Sequence, residues 1–553
     1  MMRYKVGILA ALLAVCGYGV ASSPAETESL PGQRIYREGL LPSGQPLRAT
    51  VQQGVQLSGA DAACARCHRR SGLGGSEGRN SIRPIAGRLL FPEAKSDQLT
   101  SSFAKGRNLR AVADVPERPV YTEASLAKTL REGIDPAGHR LDPLMPRYIL
   151  SDAEAGQLHA YLAVLSSERA PGVSDTEIHF ATIVAPGVSP ERTQAMLDVL
   201  QAFVSDKNAG TRQEVHRRNV GRGQMARAYR TWVFHSWELS GPPETWRDQL
   251  AAYYRQQAVF AVIGGIGNGS WEPVHTFCES FGVPCVFPDV DYPVITAAGY
   301  YTLYFSRGVT LEAEVLAKHL LETGAHGKTG TIVQVHRDTS LGHLPASVLR
   351  KALQDRGKQV VVDCPLTETG RMPGECLSKL LGSQSPGVLV MWLDFADVQG
   401  LGFAGTPPPG LQEVYLSASL SGMRRPDLAD SWLGIVHMVY PFDLPNTRAW
   451  RLERMKVWLR ARKIPLVDER AQANAFFAVT IAGDAVAHLG ENFSRDYFIE
   501  RIEQMAQTQL SPSIYPHLSL GPGQRFASKG GYVVRFPPGT ESQPLPVSDW
   551  MVP

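Results

Sequence analysis

Residues 259–278 read VFAVIGGIGNGSWEPVHTFC. The five apolar residues at 259–263 are typical of a buried strand, the glycine-rich run at 264–269 predicts a turn, and a helix is expected to follow through Cys278. Strand, turn and helix in this order form the repeating unit of proteins with parallel sheets. The stretch therefore predicts a parallel α/β fold.

The same alternation extends in both directions from this stretch. Further strands are predicted at 178–184, 284–287, 329–336, 359–363, 388–393 and 413–416, and helices at 190–204, 311–323 and 344–356. Roughly 350 residues of this pattern are too many for one sheet, so we expect two α/β lobes.

Residues 22–170 follow a different pattern. Glycine and proline interrupt short helical segments, of which 121–133 and 151–166 are the clearest. The second begins with Ser151 and has Glu154 three residues later, which is the signature of a capped helix start. We predict a mainly α domain at 22–170, a linker at 171–176, the two-lobed module at 177–535 and a C-terminal tail at 536–553.

Composition and charge narrow the function. The 553 residues are 43% hydrophobic and 20% charged, which supports packed cores and excludes general disorder. The net charge of +3 is too small to indicate a nucleic-acid-binding protein. Arg3 and Lys5 precede a short apolar run and a small-residue site ending at Ala21, which predicts a signal peptide at 1–21. No later stretch is apolar enough to span a membrane, so we expect a soluble periplasmic protein.

Cys64, Cys67 and His68 form a C-x-x-C-H motif. Two thiols at this spacing reach the two vinyl groups of one porphyrin, and the adjacent imidazole ligates the iron. A zinc site would need a second Cys/His pair nearby, and a redox dithiol is expected in a strand–helix unit. Neither context is present, so the motif predicts one covalent haem c.

Met145, followed by Pro146, is the candidate for the second axial ligand. It precedes the capped helix, and residues 124–165 together resemble the C-terminal half of a class I cytochrome c. Pro84 resembles the family proline whose carbonyl orients the ligating histidine. The resemblance implies an electron carrier. The arginines around the motif are interpreted either as a docking face for an acidic redox partner or as a solvated surface.

Cys278, Cys285, Cys364 and Cys376 remain once Cys16 leaves with the signal peptide. Four cysteines in an oxidising compartment indicate disulfides, and pairing neighbours in sequence gives Cys278–Cys285 and Cys364–Cys376. Buried free thiols are the alternative.

Residues 177–535 resemble the type I periplasmic binding proteins of the leucine/isoleucine/valine-binding kind. The resemblance lies in the layout and in the stretches 260–265, 281–284 and 336–356. It implies two lobes with a small polar or anionic ligand between them. The residues that it places at the strand ends are Asn268, Gly269, Ser270, Asp394 and Ser417.

The sequence as a whole predicts an exported monohaem c-type cytochrome for electron transfer, fused to a small-ligand-binding module. Its expected partners are a redox protein or a periplasmic dehydrogenase and the small ligand. The alternative is a solute-binding protein of a branched-chain amino-acid-type transport system with an accessory haem domain. An enzyme is not expected, because His/Met coordination fills both axial positions of the iron and the module shows no catalytic motif.

Overall fold

The architecture was analysed in a computed structural model. It describes residues 31–51, 54–77, 80–92, 117–218, 230–296, 299–323, 331–355, 360–367, 376, 387–401, 406–506, 512–537 and 543–553. The chain divides into an N-terminal unit, Met1–Ser167, and a C-terminal unit, Glu168–Pro553. The predicted signal peptide at 1–21 lies outside the described residues.

The N-terminal unit combines short helices with two small antiparallel sheets. Its helices are α1 (Pro31–Glu38), α2 (Ala65–His68), α3 (Gly87–Leu90), α4 (Glu123–Glu132) and α5 (Asp152–Val164). Its strands are β1 (Arg48–Thr50), β2 (Gln56–Ser58), β3 (Gly75–Glu77), β4 (Asn80–Ile82) and β5 (Arg147–Ile149). β1 pairs with both β2 and β5, and β3 pairs with β4. Ser151 and Glu154 form the predicted capping box of α5.

Helices α1 and α5 cross at very close range. A Cβ atom on Gly32 would lie only 2.1 Å from the carbonyl oxygen of Gln157, so only glycine fits at the crossing. One turn on, the ring of Tyr36 packs against Tyr161 with centroids 5.5 Å apart. The crossing closes an apolar core that also contains Leu126 of α4.

The C-terminal unit contains the strands and helices of the predicted α/β module. Its strands are β6 (Glu177–Val184), β7 (Thr231–Glu238), β8 (Ala261–Ile263), β9 (Ile266–Gly267), β10 (Cys285–Val286), β11 (Asp289–Val290), β12 (Thr302–Leu303), β13 (Thr331–Arg337), β14 (Val360–Leu366), β15 (Val388–Trp392), β16 (Glu413–Ser417), β17 (Val436–Tyr440), β18 (Tyr532–Arg535) and β19 (Leu545–Pro546). Its helices are α6 (Pro190–Arg218), α7 (Trp246–Gln256), α8 (Glu272–Phe281), α9 (Val309–Glu322), α10 (Ser340–Gln354), α11 (Phe395–Gly400), α12 (Asp430–Leu433), α13 (Pro445–Ala461), α14 (Glu469–Leu489) and α15 (Arg495–Ala506).

These strands form two sheets, one in each lobe. In lobe 1, β6 lies between β7 and β8, β10 and β12 follow, and β9 and β11 extend the sheet beside β6. In lobe 2 the order is β14-β13-β15-β16-β17-β18-β19. All pairings in lobe 1 and those from β13 to β17 are parallel. The prediction of a two-lobed α/β module is confirmed.

Lobe 2 shows why its strands are apolar on both faces. Val333 and Leu389 point into one apolar cluster, while their neighbours Ile332 and Val388 point into another that contains the face of α9. Side chains alternate between the two faces of a strand, and a sheet covered on both faces therefore needs continuous apolar runs.

The chain passes between the lobes after β12, after β17 and after α15. Helix α14 packs against α6 of lobe 1, so that the second passage returns the chain to lobe 1. Arg495 of α15 secures the return, because its guanidinium group donates to the carbonyls of Val259 and Phe260 at 2.6 and 3.0 Å.

Two predicted boundaries need correction. The predicted linker at 171–176 belongs to the C-terminal unit, where the Gly172 carbonyl accepts a 2.8 Å hydrogen bond from the His179 N–H. The predicted tail at 536–553 includes β19, which pairs with β18 of the lobe 2 sheet. Backbone hydrogen bonds, which the sequence does not display, hold both segments. Among the described residues, no helix is both long and apolar enough to cross a membrane.

Candidate functional site

The C-x-x-C-H motif occupies a single helical turn in the N-terminal unit. Cys64 caps α2, and the His68 N–H donates to the Cys64 carbonyl at 2.9 Å, which places both thiols and the imidazole on one turn. Cys64 and His68 are buried, whereas Cys67 is exposed. Burial raises the pKa of the Cys64 thiol to about 12, although a hydrogen bond with Tyr148 opposes the shift.

His68 is oriented by a backbone carbonyl. Its Nδ1 atom lies 2.9 Å from the carbonyl oxygen of Arg83, so that Nδ1 carries the proton and Nε2 is left with its lone pair. The residue that orients His68 is Arg83 and not the expected Pro84, although the two are adjacent. Burial also lowers the pKa of His68, which favours the neutral imidazole.

Met145 belongs to the same apolar core as the motif. Its half-buried side chain packs against the cluster that includes Cys64, Leu90 and Tyr148. Arg147 donates a hydrogen bond to the Met145 carbonyl and thereby fixes the backbone of this loop. The core of the N-terminal unit thus brings together two segments that lie about 80 residues apart.

In the C-terminal unit, both sheets reverse their strand order at the same point. The first strand of each lobe, β6 or β13, lies between the second and the third. Loops that follow the first and third strands separate there and leave a crevice at the carboxyl ends, which is where α/β sheets bind ligands.

Both polar atoms of the Asn268 side chain are bonded within lobe 1. Its amide oxygen accepts from Arg192 at 3.0 Å, and its amide nitrogen donates to the Gly187 carbonyl at 3.0 Å. The Ser270 hydroxyl accepts from the Glu272 N–H at the start of α8. Gly269 is half-buried, with no atom near the position of a Cβ.

The indole ring of Trp271 covers the glycine turn next to these residues. Gly265 has φ +115°, and a Cβ atom there would lie 3.1 Å from the ring. Trp271 is fully buried. The indole ring therefore packs directly on the glycine turn that precedes α8.

A buried ion cluster lies beyond the next strand end. Both oxygens of Asp289 are bonded: Oδ2 accepts from Arg192 at 2.7 Å, and Oδ1 accepts from Arg470 at 2.9 Å and from Asn474 at 3.0 Å. Burial alone would raise the pKa of Asp289, but the two guanidinium groups outweigh it and hold the pKa below its ordinary value. Asp289 is therefore ionised.

Arg470 joins this cluster to lobe 2. Besides Asp289, it donates to Oδ1 of Asp291 at 2.7 Å and to the carbonyl of Ser419, which follows β16, at 3.3 Å. Burial opposes its charge, but the two aspartates raise the pKa of Arg470 well above its ordinary value. We call Arg192, Asp289, Asp291, Glu312 and Arg470 the interlobe cluster.

Glu312 is the member of the interlobe cluster contributed by lobe 2. It lies in the first turn of α9 and is fully buried, and its Oε1 atom accepts from the Ser419 N–H at 2.9 Å. Burial raises the pKa of Glu312 from 4.5 to about 7, although the neighbouring Ser417 and Ser419 oppose the shift.

Two buried acceptors beside the cluster have no hydrogen-bond partner among the described residues: Oε2 of Glu312 and Oδ1 of Asn474. The orientation of the Asn474 amide is fixed, because an ionised Asp289 can only accept and so must face the amide nitrogen. An unpaired buried acceptor costs about 1–3 kcal/mol. A donor group on a ligand would remove this cost.

The remaining predicted ligand residues have local roles. Asp394 is exposed and caps α11 by accepting from the Asp397 N–H at 2.8 Å. Ser417 is fully buried, where it contacts Glu312 and accepts from the Leu420 N–H at 3.2 Å. It supports a cluster residue and does not face solvent.

The four later cysteines behave in two ways. Cys364 and Cys376 form a disulfide, as expected from their spacing. Cys278 and Cys285 are buried free thiols, so the predicted second bridge is absent and the alternative describes this pair. Each thiol is packed in the apolar core between α8 and β10, where the pKa of Cys278 is raised well above its ordinary value by burial and by its hydrogen bond with Cys285.

Comparisons with known proteins find similarity among solved structures. No family model matches the sequence, and no curated protein matches it. Among solved structures, a possible leucine/isoleucine/valine-binding protein from Rhodopirellula baltica SH 1 is 15% identical, with 67% of this chain and 96% of that chain covered and a TM-score of 0.48.

Two further structures are similar to the same degree. A fatty acid ABC transporter substrate-binding protein from Thermomonospora curvata is 14% identical, with 70% of this chain and 95% of that chain covered and a TM-score of 0.47. A branched-chain amino acid ABC transporter from Thermus thermophilus with bound valine is 12% identical, with 69% and 98% covered and a TM-score of 0.46. The assignment of two α/β lobes rests on the sheet order of this chain.

Sequence reasoning missed the interlobe cluster. Asp289 and Arg470 are 181 residues apart, and neither belongs to a recognisable motif. The stretch 289–291, with two aspartates beside a predicted strand end, was the one local signal that a charged site follows β10.

Proposed function

We propose that this chain is an exported solute-binding protein whose C-terminal unit holds a small ligand with a cationic amine between its two lobes. The proposal rests on one observation, the unpaired acceptors Glu312 Oε2 and Asn474 Oδ1. Glu312 belongs to lobe 2 and Asn474 to a helix packed on lobe 1. A donor group that bonds both would therefore stabilise the closed arrangement of the lobes.

The charges favour a cation over the anion that the sequence analysis allowed. The guanidinium groups of Arg192 and Arg470 bond Asp289 and Asp291, and Arg192 also lies 3.6 Å from Asp468. Glu312 accepts from the Ser419 N–H instead, so that its ionised form adds a negative charge that these two arginines do not pair. An ammonium group supplies three donors and the missing positive charge. A carboxylate or phosphate would add acceptors next to atoms that already lack donors.

Export is supported by chemistry as well as by the predicted signal peptide. The Cys364–Cys376 disulfide is of the kind that persists in oxidising compartments such as the periplasm.

A calorimetric titration of the full chain tests the proposal. We expect primary amines such as butylamine to bind, and butyrate, which has an anionic head group, not to bind. Glu312→Gln should weaken amine binding about tenfold or more, because it removes the charge and turns an acceptor into a donor. Glu322→Gln on the exposed part of the same helix is the matched control and should bind normally. Binding of butyrate but not of butylamine would overturn the proposal.

We further propose that the N-terminal unit carries one covalent haem c. The residues fit the group: Cys64 and Cys67 lie on one turn, His68 keeps Nε2 for the metal because Arg83 occupies Nδ1, and Met145 packs on the same core. Cys64 and Cys67 would hold the porphyrin, and His68 and Met145 would hold its iron. When bound, the group supplies reversible one-electron chemistry.

This second proposal makes electron transfer a candidate function, with a redox protein as partner. Acid–acetone extraction followed by a haem stain of the denatured chain is the test. We expect the stain to remain on the protein and to be lost in Cys64→Ala/Cys67→Ala. A stain that is extracted from the parent protein would refute covalent attachment.

A further inference from the structure

Arg470 fills the part of the interlobe cluster that a second cation would otherwise occupy. Its guanidinium group lies between two carboxylates, with Nε at 2.9 Å from Asp289 and Nη2 at 2.7 Å from Asp291. Its third partner is the Ser419 carbonyl. The side chain is only 6% exposed, so that these bonds are made away from solvent.

The guanidinium group stays charged at every accessible pH. Together with Arg192, which donates to Asp289, Arg470 therefore neutralises the two aspartates without a ligand. Among the described residues of the cluster and its neighbour Asn474, the buried acceptors without a partner are Glu312 Oε2 and Asn474 Oδ1, and these are the atoms that we assign to the ligand. A ligand that bonds both atoms needs one donor group and, when Glu312 is ionised, one positive charge.

We propose that Arg470 is a specificity-determining residue. Its guanidinium group bonds Asp289 and Asp291, which a second ammonium group of a ligand would otherwise bond, and it thereby restricts the site to ligands with a single amine. The inference rests on the proposed amine-binding function and deepens it. A diamine gains nothing from its second ammonium group in this site, because that group must be desolvated without a partner. Removing the Arg470 charge would leave two negative charges in the cluster and would open the site to a dication.

The position of Arg470 indicates that it can be substituted without loss of the fold. It lies in the first turn of α14, which Asp468 caps through the Ala471 N–H at 2.7 Å, and not in a strand. The sheets of both lobes are therefore built without it. Asp289 would also keep its bonds to Arg192 and Asn474 in a variant.

The test compares butylamine with 1,4-diaminobutane, which have the same carbon chain, by calorimetric titration of the full chain. The parent protein should bind butylamine at least as tightly as the diamine. Arg470→Met should change the ratio of the two dissociation constants about tenfold or more in favour of the diamine. Arg451→Met is the control, because Arg451 is a half-buried arginine whose ion-pair partner, Asp443, lies outside the cluster. It should leave the ratio unchanged.

Arg470→Lys is measured in parallel, and it decides the question if Arg470→Met does not fold. A lysine ammonium group cannot bond both aspartates in the forked manner of arginine, so that the ratio should move in the same direction by a smaller factor. A ratio that stays at the parent value in the soluble variants would overturn the role of Arg470 and leave amine binding intact. If neither amine binds the parent or the variants, the proposed function fails, and this inference fails with it.

Discussion

The Oε1 atom of Glu312 accepts a 2.9 Å hydrogen bond from the backbone N–H of Ser419, although the two residues are 107 positions apart. The Ser419 carbonyl in turn accepts from Arg470. The backbone of one residue in lobe 2 thus joins the buried carboxyl group to the ion cluster of lobe 1. The second oxygen of Glu312, Oε2, has no hydrogen-bond partner among the described residues.

The first prediction concerns stability and pH. Burial raises the pKa of Glu312 from 4.5 to about 7. The protonated side chain therefore contributes to the free energy of unfolding in full below pH 4.5, and this contribution is lost as the pH rises through 7. Glu312→Gln cannot titrate. Between pH 4 and pH 8 the parent should therefore lose roughly 3 kcal/mol of unfolding free energy relative to the Glu312→Gln variant. Thermal unfolding of both full chains at the two pH values measures this difference. Equal shifts in parent and variant would contradict the buried position of Glu312.

The second prediction concerns Arg495. Its guanidinium group donates to the carbonyls of Phe260, Val259 and Gly282 and to the Tyr254 hydroxyl. Arg495→Met leaves these buried acceptors unpaired, so we expect a loss of about 3 kcal/mol or more in urea unfolding.

The control for Arg495 is Arg460→Met, which removes an arginine of the same length from an exposed ion pair. It should cost less than about 1 kcal/mol. If Arg495→Met lost no more unfolding free energy than this control, the contacts of Arg495 with the carbonyl groups would not stabilise the position of α15.

The third prediction concerns the cysteines. Under native conditions we expect Cys278 and Cys285 to resist alkylation, because both are fully buried. Denaturation without reductant should expose these two thiols and leave the Cys364–Cys376 bridge intact. Peptide mapping by mass spectrometry distinguishes the two pairs. A peptide containing a Cys278–Cys285 bridge would show that the pair oxidises after all.

The fourth prediction concerns the crossing of α1 and α5. Gly32→Ala places a methyl group 2.1 Å from the Gln157 carbonyl oxygen, so that the helices must separate. We expect a loss of about 1–3 kcal/mol in the unfolding of the N-terminal unit. Gly75→Ala is the matched control, since its new Cβ would lie 3.9 Å from the nearest atom, Nε of Arg69. Equal stability of the two variants would contradict the close crossing.

The strands that carry long apolar runs could be predicted from the sequence. The strand predicted at 178–184 is found as Glu177–Val184, and that at 388–393 as Val388–Trp392. The strand β7, Thr231–Glu238, was missed because its polar residues give no continuous apolar run. Local patterns therefore identify buried central strands better than those at an edge.

The residues of the proposed ligand site could not be predicted from the sequence. Asn268 and Ser270 do lie at the strand ends of lobe 1, where the glycine turn placed them, but their side chains are bonded within their own lobe. Glu312 was missed because it lies in a helix that follows a passage between lobes and has no motif around it. Its place in the interlobe cluster depends on contacts with Ser417 and Ser419, which only the folded chain brings close.

A crystal structure of the full chain with its tightest binder tests the central claim most directly. The binder should be chosen from a panel with equal numbers of amines, carboxylates and sugars, so that the choice does not favour the outcome. The account predicts an amine whose nitrogen lies within about 3.2 Å of both Glu312 Oε2 and Asn474 Oδ1. A ligand that places a carboxylate or phosphate against Glu312, or that binds away from the interlobe cluster, would contradict it.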